Sequence, residues 1–237
     1  MNILLLNYIL FILIVLLCYI FSLFNVKFHD TCKKYKLYKK ILYSNIINQC
    51  KAGDLIFFDH TLTSIYERSF GHPQFSHIGL ITEINKKYYI CDLNPKNDIS
   101  SNIKMGINLI PIYDRIYNYN GYVYISSLKN KLNNIQLVKL NNMIQKNINF
   151  LSTFKIINSY IYNTNIIYDN EMTCIEFTAY ILDNLGITNN ISKSKKKDLF
   201  KNIINLSNSD LYSNPVQIII DNLIIKNLYN CNYITNC

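Results

Sequence analysis

Phe75-Ser76-His77-Ile78-Gly79-Leu80-Ile81 is a β-rich, mostly apolar stretch that carries a single histidine. A second β-rich run follows at residues 87–93, after the turn residues Ile84-Asn85-Lys86. Two such runs joined by a short turn predict a β-hairpin. The histidine would then lie on the first strand of a small antiparallel sheet.

The register of this hairpin decides what His77 can contact. A turn centred on Asn85-Lys86 places Asp92 opposite Gly79, which makes Asp92 the diagonal neighbour of His77 on the same face. A carboxylate there would accept the ring N–H and fix the tautomer and orientation of the imidazole. Two alternatives stay open: His77 is a hydrogen-bonded core residue, or the register is slipped by one residue and Asp92 lies on the other face.

The stretch Thr173-Cys174-Ile175-Glu176-Phe177 is typical of a helix start with a cysteine in its first turn. Thr173 and Glu176 have the spacing of a capping box, and Gly186 stands where the helix would end. Unpaired N–H groups and the positive end of the helix dipole favour a thiolate at Cys174, which predicts a nucleophile. The alternative is a buried cysteine that packs as a small apolar side chain.

The remaining apolar runs predict one domain that mixes strands and helices. Its elements are a helix-like segment at residues 37–48, a buried strand at 55–58, a loop at 61–74, a strand at 122–126, and helices at 132–151, 199–206 and 216–228. We expect this domain to span residues 50–228 and to be followed by a polar tail at residues 229–237.

An uncharged apolar run at residues 3–24 is about as long as the roughly 20 residues that cross a bilayer. We therefore expect a transmembrane helix at residues 1–25 and a basic juxtamembrane segment at residues 26–49. Because lysines follow the run and none precedes it, the positive-inside rule predicts a single-pass protein with an outside N-terminus and a cytosolic domain. A cleaved signal peptide fits less well, since a positive n-region is missing and the run is long.

Positive charge is concentrated behind the apolar run rather than spread over the chain. The net charge is +9, and six lysines lie between residues 27 and 40. These lysines would rest on anionic lipid headgroups, or they are solvated without a partner. No face interleaves basic and aromatic residues, so we expect no nucleic-acid partner.

The cysteines and histidines predict neither a disulfide framework nor a metal site. Seven cysteines, an odd number with no close C-x-x-C pair, favour a reducing compartment. His60, His72, His77 and Cys91 have spacings that match no compact pair of metal ligands. We expect no metal and no cofactor.

Four segments, in this order, resemble the circularly permuted NlpC-type branch of the papain-like superfamily. They are G-D-L-I-F-F at residues 53–58, F-S-H-I-G-L-I at 75–81, a strand that ends in Asp92, and M-T-C-I-E-F at 172–177. The branch includes YiiX-like and YaeF-like amidases, lecithin:retinol acyltransferase-like enzymes and poxvirus proteins. In ordinary papain-like enzymes the cysteine helix precedes the histidine strand, whereas here the histidine comes first.

The resemblance implies an α+β papain-like domain, with a small antiparallel sheet packed on helices, behind the N-terminal transmembrane helix. It implies Cys174 as nucleophile, His77 as general base and then acid, and a polar third residue at Asp92. The chain departs from the common pattern in two places, since many members have Glu at the third position and C-S-E where this chain has C-I-E.

The expected function is that of a membrane-anchored cysteine hydrolase or acyltransferase that acts on an amide, ester or thioester bond. Its partners would be the lipid bilayer and a lipid, lipidated or peptide-like substrate. The poxvirus relatives and the composition, which is typical of an AT-rich genome, indicate a large DNA virus and a host or virion membrane. The alternative is a catalytically silent membrane or virion scaffold that retains the fold.

Overall fold

The computed structural model describes residue 13 and residues 38–59, 75, 77–94, 105–119, 121–146, 148–150, 171–194, 196–207 and 209–220. The strands are β1 (Lys40–Leu42), β2 (Leu55–Asp59), β3 (His77–Ile84), β4 (Lys87–Asn94), β5 (Gly106–Pro111), β6 (Tyr122–Ser126), β7 (Asn149–Phe150), β8 (Glu171–Met172) and β9 (Val216–Ile219). The helices are α1 (Tyr43–Ile47), α2 (Ile112–Tyr117), α3 (Asn134–Ile144), α4 (Cys174–Asn184) and α5 (Lys196–Leu206), with a 3-10 turn at Ile191–Lys193.

Seven strands form one mixed sheet in the order β1-β9-β6-β2-β3-β4-β5, and β7 and β8 form a separate parallel pair. All neighbours in the large sheet are antiparallel except β1 and β9, which run parallel. The sheet is therefore larger than the small antiparallel sheet expected, and it is not purely antiparallel. Because β1 begins at Lys40, the sheet also extends to the N-terminal side of the expected domain start at residue 50.

The prediction of a helix at residues 216–228 is wrong for its first part, because Val216–Ile219 forms strand β9. Val216-Gln217-Ile218-Ile219 pairs with β6 on one side and β1 on the other. β-branched residues favour a strand once such neighbours supply the backbone hydrogen bonds. Pro215 precedes this strand rather than a helix.

Two other expected helices are shorter than their apolar patterns. Strand β1 takes up part of the segment at residues 37–48, and only α1 is helical there. In the segment at residues 132–151, α3 begins after an Asn133–Gln136 capping box and ends at Ile144, and β7 follows. The helix expected at residues 199–206 is confirmed as α5.

The predicted hairpin is confirmed with its register. Gly79 pairs with Asp92 and Ile84 pairs with Lys87. The two turn residues, Asn85 and Lys86, both have positive φ angles, 51° and 61°. Positive φ at both central residues is the backbone of a type I′ turn, whose twist matches that of the strands it joins.

Hydrophobic cores lie on both faces of the sheet. One core joins Leu55, Phe57, Leu80 and Cys91 of the strands to α3, α4 and α5. The other joins alternate strand residues to α1 and α2 (Ile56, Phe58, Ile81 and Ile90 with Ile46, Ile112 and Ile116). Since side chains alternate between faces, β2 is buried along its whole length.

Buried hydrogen bonds fix the start of β2. The Asp54 carboxylate accepts from the backbone N–H groups of Leu128, at 2.8 Å, and Lys51, at 3.0 Å. Burial raises the pKa of Asp54 to about 6, although these N–H groups work in the opposite direction. The hydroxyl of Tyr212 donates to the Gly53 carbonyl at 3.0 Å. These contacts connect residues 51–54 to Leu128 and Tyr212, which are distant in the sequence.

Several sequence-based expectations fall on residues that the structure does not describe. These are residues 3–24 apart from Leu13, the loop at 61–74, the N-terminal part of the basic segment, the end of the last expected helix, and the polar tail. In the part of the chain that is described, no helix has the length and apolarity needed to cross a membrane.

Lys86→Gly should raise the free energy of unfolding by about 0.5–1 kcal/mol, because glycine adopts positive φ without the steric cost that Lys86 bears. Urea denaturation monitored by circular dichroism measures the change. The control is Lys87→Gly on the adjoining residue, which is exposed at the start of β4 and should lose stability instead. Equal effects of the two substitutions would contradict the turn assignment.

Candidate active site

The hairpin brings His77 and Asp92 into direct contact. The distance between His77 Nε2 and Asp92 Oδ2 is 3.1 Å. The Asp92 side chain is fully buried, and 13% of the His77 side chain is exposed. The carboxylate is therefore shielded from water, whereas a small part of the imidazole remains accessible to water.

Gly79 makes room for this contact. A Cβ atom at Gly79 would lie 2.9 Å from the Cys91 carbonyl oxygen and 3.0 Å from Asp92 Cβ. The first distance is too short unless the backbone moves, and the second would push the Asp92 side chain away. The absence of a side chain at Gly79 therefore lets Asp92 occupy the position opposite it and reach His77.

Cys174 is the first residue of α4, as the capping-box pattern predicts. The Thr173 backbone N–H donates to Glu176 Oε2 at 2.7 Å, and the Glu176 N–H donates to Thr173 Oγ1 at 3.4 Å. The Thr173 hydroxyl also donates to the same carboxylate oxygen at 2.7 Å. This reciprocal cap fixes the first turn of the helix.

The Cys174 side chain lies close enough to the His77 imidazole for the negative charge of a thiolate there to raise the pKa of the ring. Because Nε2 of His77 is engaged by Asp92, Nδ1 is the ring nitrogen left for the thiol. Cys174 is 7% exposed. The structure therefore places Cys174 beside His77, and His77 in contact with Asp92.

The site lies where the two cores meet at the end of the sheet. Cys174 belongs to the core under α4, whereas the ring of His77 lies 5.5 Å from that of Phe58, which belongs to the other core. Since His77 is the first residue of β3, its side chain is at the strand end and within reach of the helix start. Helix α4 thus packs mainly on the Cys91 face of the hairpin.

The pKa of His77 is raised from 6.5 to about 9. Burial by itself lowers this pKa, but the negative charge of a Cys174 thiolate and the hydrogen bond to Asp92 outweigh it. A raised imidazole pKa means that the protonated form is favoured while the thiolate is present. The surroundings of the ring thus favour its protonated form.

Arg115 is a member of the site that the sequence-based argument missed. Its Nε and Nη2 atoms each lie 2.9 Å from Asp92 Oδ2. Burial alone raises the pKa of Asp92, but the Arg115 charge and the His77 contact hold it below its ordinary value. One signal was present: Arg115 is one of only two arginines among 24 lysines and arginines, and arginine is the cation suited to buried ion pairs.

The other residues considered from the sequence are not near this chemistry or lie outside the described residues. Cys91 is 1% exposed and lies in the core on the opposite face from Asp92. Burial raises the pKa of its thiol well above the ordinary value, so Cys91 is held as a neutral thiol. His60 and His72 are outside the described residues, and the described residues contain no group of three metal-binding side chains.

Comparison with solved structures finds a likeness to the crystal structure of the metalloprotein yiiX from Escherichia coli O157:H7, DUF1105. The TM-score is 0.44 with 14% sequence identity, over 75% of this chain and 92% of that chain. No family model matches the sequence, and no curated protein matches it. The case for chemistry at this site therefore rests on the positions of Cys174, His77 and Asp92.

Proposed function

We propose that the protein is a papain-like cysteine hydrolase or acyltransferase that cleaves an amide, ester or thioester bond through Cys174. The observation that carries the proposal is that Cys174, at a capped helix start, lies beside His77, whose Nε2 atom is 3.1 Å from Asp92 Oδ2. A nucleophile within hydrogen-bond reach of a base that a third group orients is the arrangement that covalent catalysis requires.

In the first half-reaction, the Cys174 proton resides on His77 and the thiolate attacks the substrate carbonyl carbon. The electron pair of the C=O bond moves to oxygen, and unpaired N–H groups at the start of α4 stabilise the resulting oxyanion. The tetrahedral adduct then collapses to a thioester on Cys174. His77 gives its proton to the departing amine, alcohol or thiol.

In the second half-reaction, neutral His77 removes a proton from water or from another acceptor as that molecule attacks the thioester. Collapse of the new adduct releases the acid or the transferred acyl product. Cys174 leaves as the thiolate, and His77 is again protonated. Proton and charge balance are therefore restored after each cycle.

Asp92 orients the base in this scheme. It accepts the Nε2–H of His77 and so leaves Nδ1 to exchange the proton with Cys174. The Phe58 ring beside the imidazole further limits rotation of the ring. Asp92 keeps its own negative charge throughout, because its pKa is lowered.

Membrane anchoring is part of the proposal. The uncharged run at residues 3–24 and the lysines behind it support a single span that leaves the catalytic domain in the cytosol. A site held close to a bilayer suits a lipid or lipidated substrate, although peptide-like substrates fit the same chemistry. Turnover assays with acyl lipids and acyl peptides, compared with the Cys174→Ala variant, separate these classes.

Cys174→Ala should abolish labelling by an activity-based thiol probe, because it removes the attacking sulfur. His77→Ala should reduce the labelling rate by about 100-fold or more, since the base that takes the thiol proton is lost. Cys91→Ala is the control and should label at the rate of the unaltered protein. Equal labelling of all three variants would overturn the nucleophile assignment and favour the silent scaffold.

The pH dependence should separate the acid role of His77 from simple thiolate reactivity. Above the His77 pKa of about 9, the imidazolium fraction falls about tenfold per pH unit. Hydrolysis of an anilide, whose leaving group needs a proton, should fall with it. Alkylation of Cys174 by iodoacetamide needs only the thiolate and should not fall. A parallel decline of both rates would count against the acid role.

Thr173→Ala and Asn133→Ala remove equivalent caps from α4 and α3, so they form a matched pair. Each should lower the free energy of unfolding by about 1 kcal/mol in a urea titration. Only Thr173→Ala should slow alkylation of Cys174, by about two- to fivefold, because it loosens the helix start that favours the thiolate. Similar alkylation rates in the two variants would show that the Thr173 cap does not affect the reactivity of Cys174.

A further inference from the structure

We propose that Arg115 is a positioning residue that neutralises Asp92, so that Asp92 can orient His77 without holding the imidazole proton too tightly for transfer. This inference rests on the proposed function, because it assigns a role within the same proton-transfer chain. Arg115 does not contact the thiol in this role; it acts on His77 only through Asp92.

The two oxygens of Asp92 are shared among four nitrogen atoms of three side chains. Oδ2 accepts from Arg115 Nε and Nη2, both at 2.9 Å, and lies 3.1 Å from His77 Nε2. Oδ1 accepts from Asn94 Nδ2 at 2.5 Å. Arg115 and His77 thus share one oxygen, so a change of charge on either is felt directly by the other.

Aromatic rings hold the guanidinium in place. Its central carbon lies 4.5 Å from the centroid of the Phe58 ring and 5.5 Å from that of Tyr119. The rings of Phe58 and Tyr119 meet edge to face at 4.9 Å. Arg115 is 7% exposed, so water provides little screening of its charge. The cation is therefore fixed beside Asp92 rather than drawn there transiently.

Charge balance explains why a cation is needed. The active form has a thiolate, an imidazolium and a carboxylate, which together would leave one negative charge in a buried site. Arg115 brings the sum to zero, and an unbalanced buried charge is costly. Among the residues that the structure describes, His77 is faced by Cys174 from α4, by Asp92 from β4 with Arg115 of α2 behind it, and by the uncharged Phe58 of β2.

The consequence for catalysis is that the His77 imidazolium can release its proton to the leaving group. A general acid must hold its proton weakly enough to release it to the leaving group. A lone buried carboxylate at hydrogen-bond distance would stabilise the imidazolium strongly, whereas a carboxylate already paired with Arg115 stabilises it less. Asp92 paired with Arg115 therefore acts more like a neutral hydrogen-bond acceptor.

The test is the titration midpoint of the His77 ring, followed by NMR in histidine-labelled protein and assigned with a His77→Gln variant. Arg115→Gln should raise the midpoint by about one pH unit or more, because the Asp92 charge is left unbalanced. Asp92→Asn should lower it by a similar amount, since Arg115 then faces the ring alone. The double variant should return to within about half a pH unit of the unaltered protein.

An unchanged or lowered midpoint in Arg115→Gln would overturn the inference. If that variant does not fold, Arg115→Lys keeps the positive charge but not the guanidinium, and because the charge is what balances Asp92, the midpoint should stay within about half a pH unit. A larger shift would equally overturn the inference. A purely structural role predicts loss of thermal stability in these variants without the opposite shifts in midpoint.

The result is distinguishable from failure of the proposed function. If the His77 midpoints shift as expected but the unaltered protein is neither labelled by the thiol probe nor turns over substrate, the role of Arg115 is supported and the enzyme assignment is overturned. If the unaltered protein is active and its variants show no shift, the enzyme assignment stands and the role of Arg115 falls.

Discussion

The pairing of Gly79 with Asp92 across the β3–β4 hairpin is the constraint on which the rest of the site depends. A register slipped by one residue would turn Asp92 to the opposite face, away from His77. The type I′ turn at Asn85-Lys86 fixes that register locally. Arg115, Asn94 and the thiol of Cys174 then find their partners around two side chains that the hairpin has already brought together.

Two layers of helices complete the arrangement from opposite sides of the sheet. Helix α4 brings the thiol from one layer, and α2 brings Arg115 from the other. The imidazole of His77 lies between them at the end of β3. Each layer thus contributes one side chain to the site, and the sheet holds the imidazole between them.

The parts of the site that depend on short-range sequence were predictable. The hairpin register follows from a two-residue turn between β-rich runs, and the start of α4 follows from the spacing of Thr173 and Glu176. Both features depend on residues that are close together in the sequence, so they can be predicted from the sequence alone. The sequence patterns therefore predicted the register and the helix start before any tertiary contact was known.

The features that were missed depend on contacts between distant segments. Arg115 lies 23 residues beyond Asp92 on a six-residue helix, which is too short to show a periodic pattern. Strand β9 has four residues, and its pairing with β1 joins segments near opposite ends of the described chain. An apolar run of that length is compatible with a helix or a strand until its neighbours are known.

The division of the site between two cores also bears on how the protein matures. His77 and Cys174 are far apart in the sequence, on β3 and α4, so they meet only when α4 has packed on the sheet. Arg115 reaches Asp92 from the helix layer on the other side. The complete site therefore exists only in the fully folded chain, and any chemistry that depends on all of its members would begin only after folding.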